Sequence, residues 1–78
     1  MTREPNVLLD AKGLLCPLPV LKARKALKDV PPGGLLRVLA TDVGAVKDFE
    51  AFCKTTGSDL LGWEERDGVF VFDIRKPG

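Results

Sequence analysis

The chain has no histidine and no tyrosine, and only two cysteines, one tryptophan and one methionine among 78 residues. The missing histidine removes the usual general base near neutral pH and the commonest metal ligand. Cys–His catalysis within the chain is therefore excluded. Two cysteines do not make a disulfide framework. They are also a poor metal set, because zinc sites mostly use four ligands. No metal and no organic cofactor is expected. No stretch approaches the roughly 20 apolar residues of a membrane helix. The N-terminal residues Met1-Thr2-Arg3-Glu4-Pro5 lead into no long apolar run of the signal-peptide kind. These features point to a cytosolic protein with reduced thiols and no membrane contact.

Charge of one sign is also lacking overall. The net charge is +1, which gives no case for nucleic-acid binding by overall field. No aromatic stacking pattern for bases is present either. The charge is uneven along the chain, however. Residues 1–28 carry six basic and two acidic side chains, whereas residues 29–78 carry six basic and nine acidic. The positive excess surrounds Cys16.

What is present reads as one small domain over residues 1–78, with 45% hydrophobic and 29% charged residues. After a loose tail, Asn6–Ala11 is an apolar run that suits a buried strand. Lys12-Gly13 breaks it. A helix should begin at Pro17, since proline is favoured in the first helical turn. Leu18, Leu21 and Ala26 or Leu27, with Val20 and Ala23, form its apolar stripe. Lys22, Lys25 and Lys28 form a basic stripe with Arg24 beside it. Pro31-Pro32-Gly33-Gly34 ends this element.

Leu35–Ala40 is the second strand. Thr41 or Asp42 is a natural N-cap for a second helix. That helix sets Val46, Phe49, Phe52 or Cys53, and Thr56 on one face, and Gly57 stops it. Two strand-like runs, Leu60–Arg66 and Val69–Arg75, flank Asp67-Gly68, a two-residue hairpin signal. Pairing Arg66 with Val69 sets Trp63 opposite Phe72 and Leu61 opposite Ile74, with Phe70 on the same face. Trp63 and the four phenylalanines are assigned to the core. The order βαβαββ predicts an α/β (α+β) two-layer sandwich. Its first two strands are parallel, and both helices cover one face of a mixed four-stranded sheet.

Local chemistry is concentrated in Gly13-Leu14-Leu15-Cys16-Pro17-Leu18-Pro19. A helix starting at Pro17 makes Cys16 its N-cap, with the positive end of the helix dipole facing the sulfur. Thiolates so placed have lowered pKa. Pro17 and Pro19 remove two amide donors and stiffen the turn, which leaves the Leu18 and Val20 amides to meet an anionic sulfur. Lys12, Lys22 and Arg24 would add positive potential. The opposing reading makes Cys16 a small buried residue at a strand–helix junction. Cys53, at helical spacing after Phe49, reads as inert core packing. Its functional alternative is a resolving thiol for Cys16. Asp10 and Asp42 are acid/base candidates, but each has a structural role, as strand end or cap. The Lys22/Lys25/Lys28 stripe, with Arg24, is a solvated face or a docking surface for an acidic partner.

The run Leu9-Asp10-Ala11-Lys12-Gly13-Leu14-Leu15-Cys16-Pro17-Leu18-Pro19-Val20-Leu21 resembles the Cys-Pro-x-Pro signature of the TusA/SirA-like family of small sulfur carriers. The resemblance continues through Lys22–Leu27 and returns at Pro32-Gly33, Leu39–Asp42, Phe52-Cys53, Gly57, and Ile74–Lys76. It implies the βαβαββ sandwich and a Cys16 that accepts sulfane sulfur as a persulfide and hands it on. The implied donor is a cysteine desulfurase or a rhodanese-like protein. The implied acceptors serve tRNA thiolation, molybdenum-cofactor synthesis or sulfur oxidation. Two positions depart from the family pattern. Leu15 stands where many members have arginine, and Val43 where proline is frequent. A different class of function is a non-catalytic, redox-sensitive regulatory module that binds a partner through its basic helix.

Overall fold

A computed structural model describes residues 4–78. Four strands and two helices follow the expected order: β1 (Val7–Ala11), α1 (Leu18–Leu27), β2 (Leu35–Ala40), α2 (Ala45–Thr56), β3 (Asp59–Arg66) and β4 (Val69–Arg75). The strands form one sheet in the order β1-β2-β4-β3. β1 and β2 are parallel, with Leu9 opposite Val38 and Ala11 opposite Ala40. β4 runs antiparallel to both β2 and β3. The sheet is therefore mixed, as the sequence pattern predicts. Asn6 fixes where the parallel pair begins. Its amide donates to Leu35 O and its Oδ1 accepts from Leu35 N, each at 2.8 Å.

Alternation along the strands sends Val7, Leu9 and Ala11, then Leu36, Val38 and Ala40, then Phe70, Phe72 and Ile74 toward one face. α1 lies against β1 and β2, and α2 against β3 and β4. α2 contributes Ala45, Phe49, Phe52 and Cys53 to the core, the face predicted from its 3-to-4 spacing. Phe49 and Phe72 bring their ring centroids to 4.6 Å. Among the described residues no helix covers the opposite face of the sheet, which carries the Arg37–Asp73 ion pair at 2.7 Å. Gly57 closes α2 with φ +74°. Asp67 and Gly68 turn the hairpin with φ of 52° and 82°. Both values are positive, as a type I′ turn requires.

Three expectations about packing change. Leu60, not Leu61, faces Ile74, because a bulge between Leu60 and Gly62 takes up one residue. Trp63 does lie opposite Phe72 and contacts the Phe70 and Phe72 rings, but it stays 45% exposed. β3 is an edge strand, so among the described residues no further strand pairs with its outer side. On α1 the buried residues are Pro19, Ala23 and Leu27, while Leu18 and Leu21 are exposed. Positions 19, 23 and 27 repeat every four residues, and the helix turns this row to the sheet. Leu18 and Leu21, assigned to the apolar stripe, fall outside it.

Candidate functional site

Parallel pairing of β1 and β2 places both of their C-terminal ends on one edge of the sheet. The loops that lead into α1 and α2 therefore open side by side. Gly13 makes the turn after β1 with φ +81°, a backbone region open to glycine. Its amide donates to Thr41 Oγ1 at 3.0 Å, which ties the first loop to the second. Leu14 N then donates to Ala11 O at 3.3 Å. The chain reaches Cys16 exposed, followed by a cis Cys16–Pro17 peptide bond. Pro17 is exposed, whereas Pro19 is fully buried and anchors the helix start against the core.

The first helical residue is Leu18, and Pro17 is the N-cap. Cys16 lies one residue outside the cap position predicted for it. The amides expected to face its sulfur are engaged elsewhere. Leu18 N donates to Leu15 O at 2.9 Å, and Val20 N donates to Pro17 O at 3.1 Å. The prolines shape this turn so tightly that its own carbonyls take up the first donors.

The sulfur instead faces acid. Cys16 Sγ donates a hydrogen bond to Asp48 Oδ2, from the first turn of α2. The Cys16 amide donates to Asp42 Oδ2 at 2.6 Å. Asp42 Oδ1 accepts from Gly44 N at 3.1 Å, and Asp42 O accepts from Ala45 N at 3.0 Å. Asp42 thus organises the loop before α2. It is not the N-cap predicted for it, since Gly44 holds that position and the helix begins at Ala45. Gly44 packs close to the thiol: a Cβ built there would sit 3.8 Å from Cys16 Cβ.

This environment reverses the expected titration. The hydrogen bond to Asp48 first, then desolvation and the charges of Asp48 and Asp42, push the Cys16 thiol up to about 11 from an ordinary 9.0. The Asp42 carboxyl is held below its usual range, chiefly by the Cys16 and Gly44 amides it accepts from. The basic residues do not offset the acids. Lys12 pairs with Asp10. Lys22, Arg24 and Lys25 are exposed, and among the described residues no ion pair joins them to Asp42 or Asp48. Arg24 does share a shallow groove between the helices with Pro17, Val20, Asp48, Phe52 and Thr55.

Exposed aliphatic side chains lie on the two loops and on α1. Leu15 is 73% exposed, Leu21 55% and Val43 80%. Leu15 directly precedes Cys16, and Val43 directly precedes Gly44. Cys53 is the opposite kind of thiol. It is buried in the core cluster, and burial pushes it up to about 11. Among the described residues, no three His, Cys, Asp or Glu side chains gather as a metal site.

Asp48 is the group that sequence reasoning missed. The signal was the topology itself. Two parallel strands that end on one edge bring the residues after each strand together, as in the ligand sites of open α/β sheets. With Cys16 after β1, the polar residues after β2 were the ones to pair with it.

The family model described as Sulfurtransferase TusA matches residues 7–76. The sulfur carrier protein TusA of Allochromatium vinosum is 53% identical over 68 residues, covering 87% of this chain and 90% of the relative. The TusA sulfur carrier of Pseudomonas aeruginosa is 41% identical over 76 residues, covering 97% of this chain and 96% of its own. The crystal structure of a SirA-like protein from Desulfitobacterium hafniense superposes with a TM-score of 0.80 at 27% identity, covering 92% of this chain and 99% of that one. On these matches, the chain belongs to the TusA sulfurtransferase family.

Proposed function

We propose that this chain is a sulfur carrier that bears its cargo on Cys16 as a persulfide. The observation that carries the reading is the exposed Cys16 thiol at the head of α1, in a chain matched by the TusA model over residues 7–76. Cys16 attacks the sulfane sulfur of a donor persulfide and later presents that sulfur to an acceptor. The chain has no histidine to serve as a general base, and among the described residues no metal-ligand set gathers, so partners supply the remaining chemistry. The donor is a cysteine desulfurase or a rhodanese-like protein. The acceptor belongs to tRNA thiolation, molybdenum-cofactor synthesis or sulfur oxidation. The compartment is the cytoplasm; among the described residues no helix is long and apolar enough to cross a membrane.

Docking is proposed to combine two surfaces. Exposed Leu15 and Val43 on the two loops, with Leu18 and Leu21 on α1, would supply an apolar rim. Lys22, Arg24 and Lys25 add a basic flank along exposed positions of α1. Gly13, Pro17 and Pro19 hold the loop that presents the sulfur. The predicted anion-stabilising role of the Leu18 and Val20 amides is not retained, because both donate to backbone carbonyls.

The test is loading. The protein is incubated with a desulfurase and cysteine, then with a thiol-alkylating reagent, and its intact mass is measured. The expected result is a gain of about one sulfur atom, mapped to Cys16 and absent in Cys16→Ser. A gain that maps to Cys53 would overturn the assignment. One observation favours the second reading, a redox-sensitive regulatory module: the Cys16 thiol is raised to about 11, not activated. That reading predicts that Cys16→Ser keeps partner binding and activity.

A further inference from the structure

We propose that Asp48 lowers the affinity of Cys16 for transferred sulfur, so that the carrier rests empty and gives its cargo up readily. This rests on the reading of Cys16 as the persulfide carrier. The relevant contact joins Cys16 Sγ to Asp48 Oδ2. A carboxylate only accepts hydrogen bonds, so the contact is satisfied by a sulfur that carries a proton. In the empty carrier Cys16 is a thiol and supplies that proton. In the loaded carrier Sγ is bonded to the second sulfur and has no hydrogen to donate. A persulfide is also more acidic than a thiol, so its terminal sulfur is anionic near neutral pH.

Loading therefore removes the hydrogen bond to Asp48 and sets an anion beside two carboxylates. Among the described residues the only hydrogen bond of the sulfur is the one to Asp48, and Arg24, which lines the groove with Asp48, makes no hydrogen bond to it. The Cys16 amide is already given to Asp42, and the Leu18 and Val20 amides to Leu15 O and Pro17 O. Among the described residues neither Asp42 nor Asp48 is paired with a cation. The empty state is stabilised and the loaded state destabilised by the same side chain.

The exchange balances without a further reactant. For a donor persulfide anion R–S–S⁻, the products are Cys16–S–S⁻ and R–SH. The donor's S–S bond breaks and the bond from Sγ to the transferred sulfur forms. The Cys16 proton ends on the donor's leaving thiolate. Asp48 holds that proton on Cys16 beforehand, which opposes the forward exchange and favours its reverse.

The experiment equilibrates the full chain with glutathione and glutathione persulfide at a fixed ratio, without oxygen, at pH 7.5. Alkylation then traps the thiols, and mass spectrometry reads the loaded fraction at Cys16. Asp48→Asn is expected to shift the loading equilibrium toward the persulfide about tenfold or more, since each pKa unit of differential interaction is tenfold. Asp48→Ala, which lacks any acceptor, should shift it in the same direction. Glu50→Gln, the same charge change at an exposed position two residues on, should shift it less than twofold. Repeating the series across pH should narrow the gap between wild type and Asp48→Asn above the wild-type thiol's midpoint. An unchanged or lower loaded fraction in both Asp48 variants, with wild-type loading intact, overturns the role of Asp48 alone. Failure of every form to load at Cys16 overturns the carrier reading, and this inference with it.

Discussion

The molecule holds two thiols that are equally hard to ionise for opposite reasons. Cys16 and Cys53 are both pushed to about 11. Cys53 reaches that value chiefly by burial among Phe49, Phe52 and the rest of the core. Cys16 reaches it on the surface, chiefly by donating to one carboxylate. The first cause is built into the packing and changes only if the fold opens. The second resides in a single side chain that a partner or a substitution reaches directly. An exposed thiol held quiet by one side chain is open to release by a partner. A buried one suits a core.

The largest effect that tests this contrast is accessibility. In the native protein, iodoacetamide should modify Cys16 while Cys53 reacts only after opening. The expected gap in rate is on the order of a thousandfold or more, because opening a core residue takes a large share of the unfolding free energy. Comparable rates would remove the distinction. Next in size is stability. Cys53→Ser buries a hydroxyl in an apolar cluster and should lower the unfolding free energy by about 1–3 kcal/mol. Urea denaturation should show Cys16→Ser within about 0.5 kcal/mol of wild type. Equal losses at both positions would mean that the Cys16 loop is structural.

A smaller effect concerns reactivity. Asp48→Asn should raise the thiolate fraction of Cys16 about tenfold or more below pH 9, because Asp48 is the largest cause of the raised pKa and each pKa unit is tenfold. The lower-pKa thiolate is intrinsically less nucleophilic, with a Brønsted slope of about 0.4–0.5, so the net gain in alkylation rate is about threefold or more. A rate that falls in Asp48→Asn would mean that Asp48 activates the thiol. The smallest expected effect is at the rim. Leu21→Ser should change stability by less than about 0.5 kcal/mol, because Leu21 is 55% exposed. It should nevertheless weaken capture by a sulfur donor, read as a higher KM with loading at saturation unchanged.

Much of the fold was legible because its signals are local. Strand alternation, the proline–glycine break after α1, Gly57 and the Asp67-Gly68 turn each act within a few residues. The bulge at Leu61 and the exposure of Trp63 were not legible, since both depend on β3 lying at the sheet edge. The stripe on α1 was misassigned because Leu18 and Leu21 are apolar, while the residue that anchors the helix is Pro19. Cys16 itself was found from its neighbours in sequence. Its environment was not, because the decisive contact comes from Asp48, separated by 32 residues. A local reading saw lysines around Cys16, whereas the parallel pairing of β1 and β2 brings the acidic start of α2 to it instead.

The central claim, that one carboxylate keeps an exposed carrier thiol protonated, is tested most directly by the pH dependence of Cys16 alkylation. The charged groups around this site are Asp48 from α2, Asp42 from the preceding loop, and Arg24 across the helix groove. A thiol pKa raised by an acceptor moves the rise of the rate to higher pH. For the wild type the midpoint should lie near 11, and for Asp48→Asn it should move back toward 9.0. The two profiles should converge above pH 11, where both forms are thiolate. A wild-type midpoint at or below 9.0, unmoved by the substitution, would contradict the account.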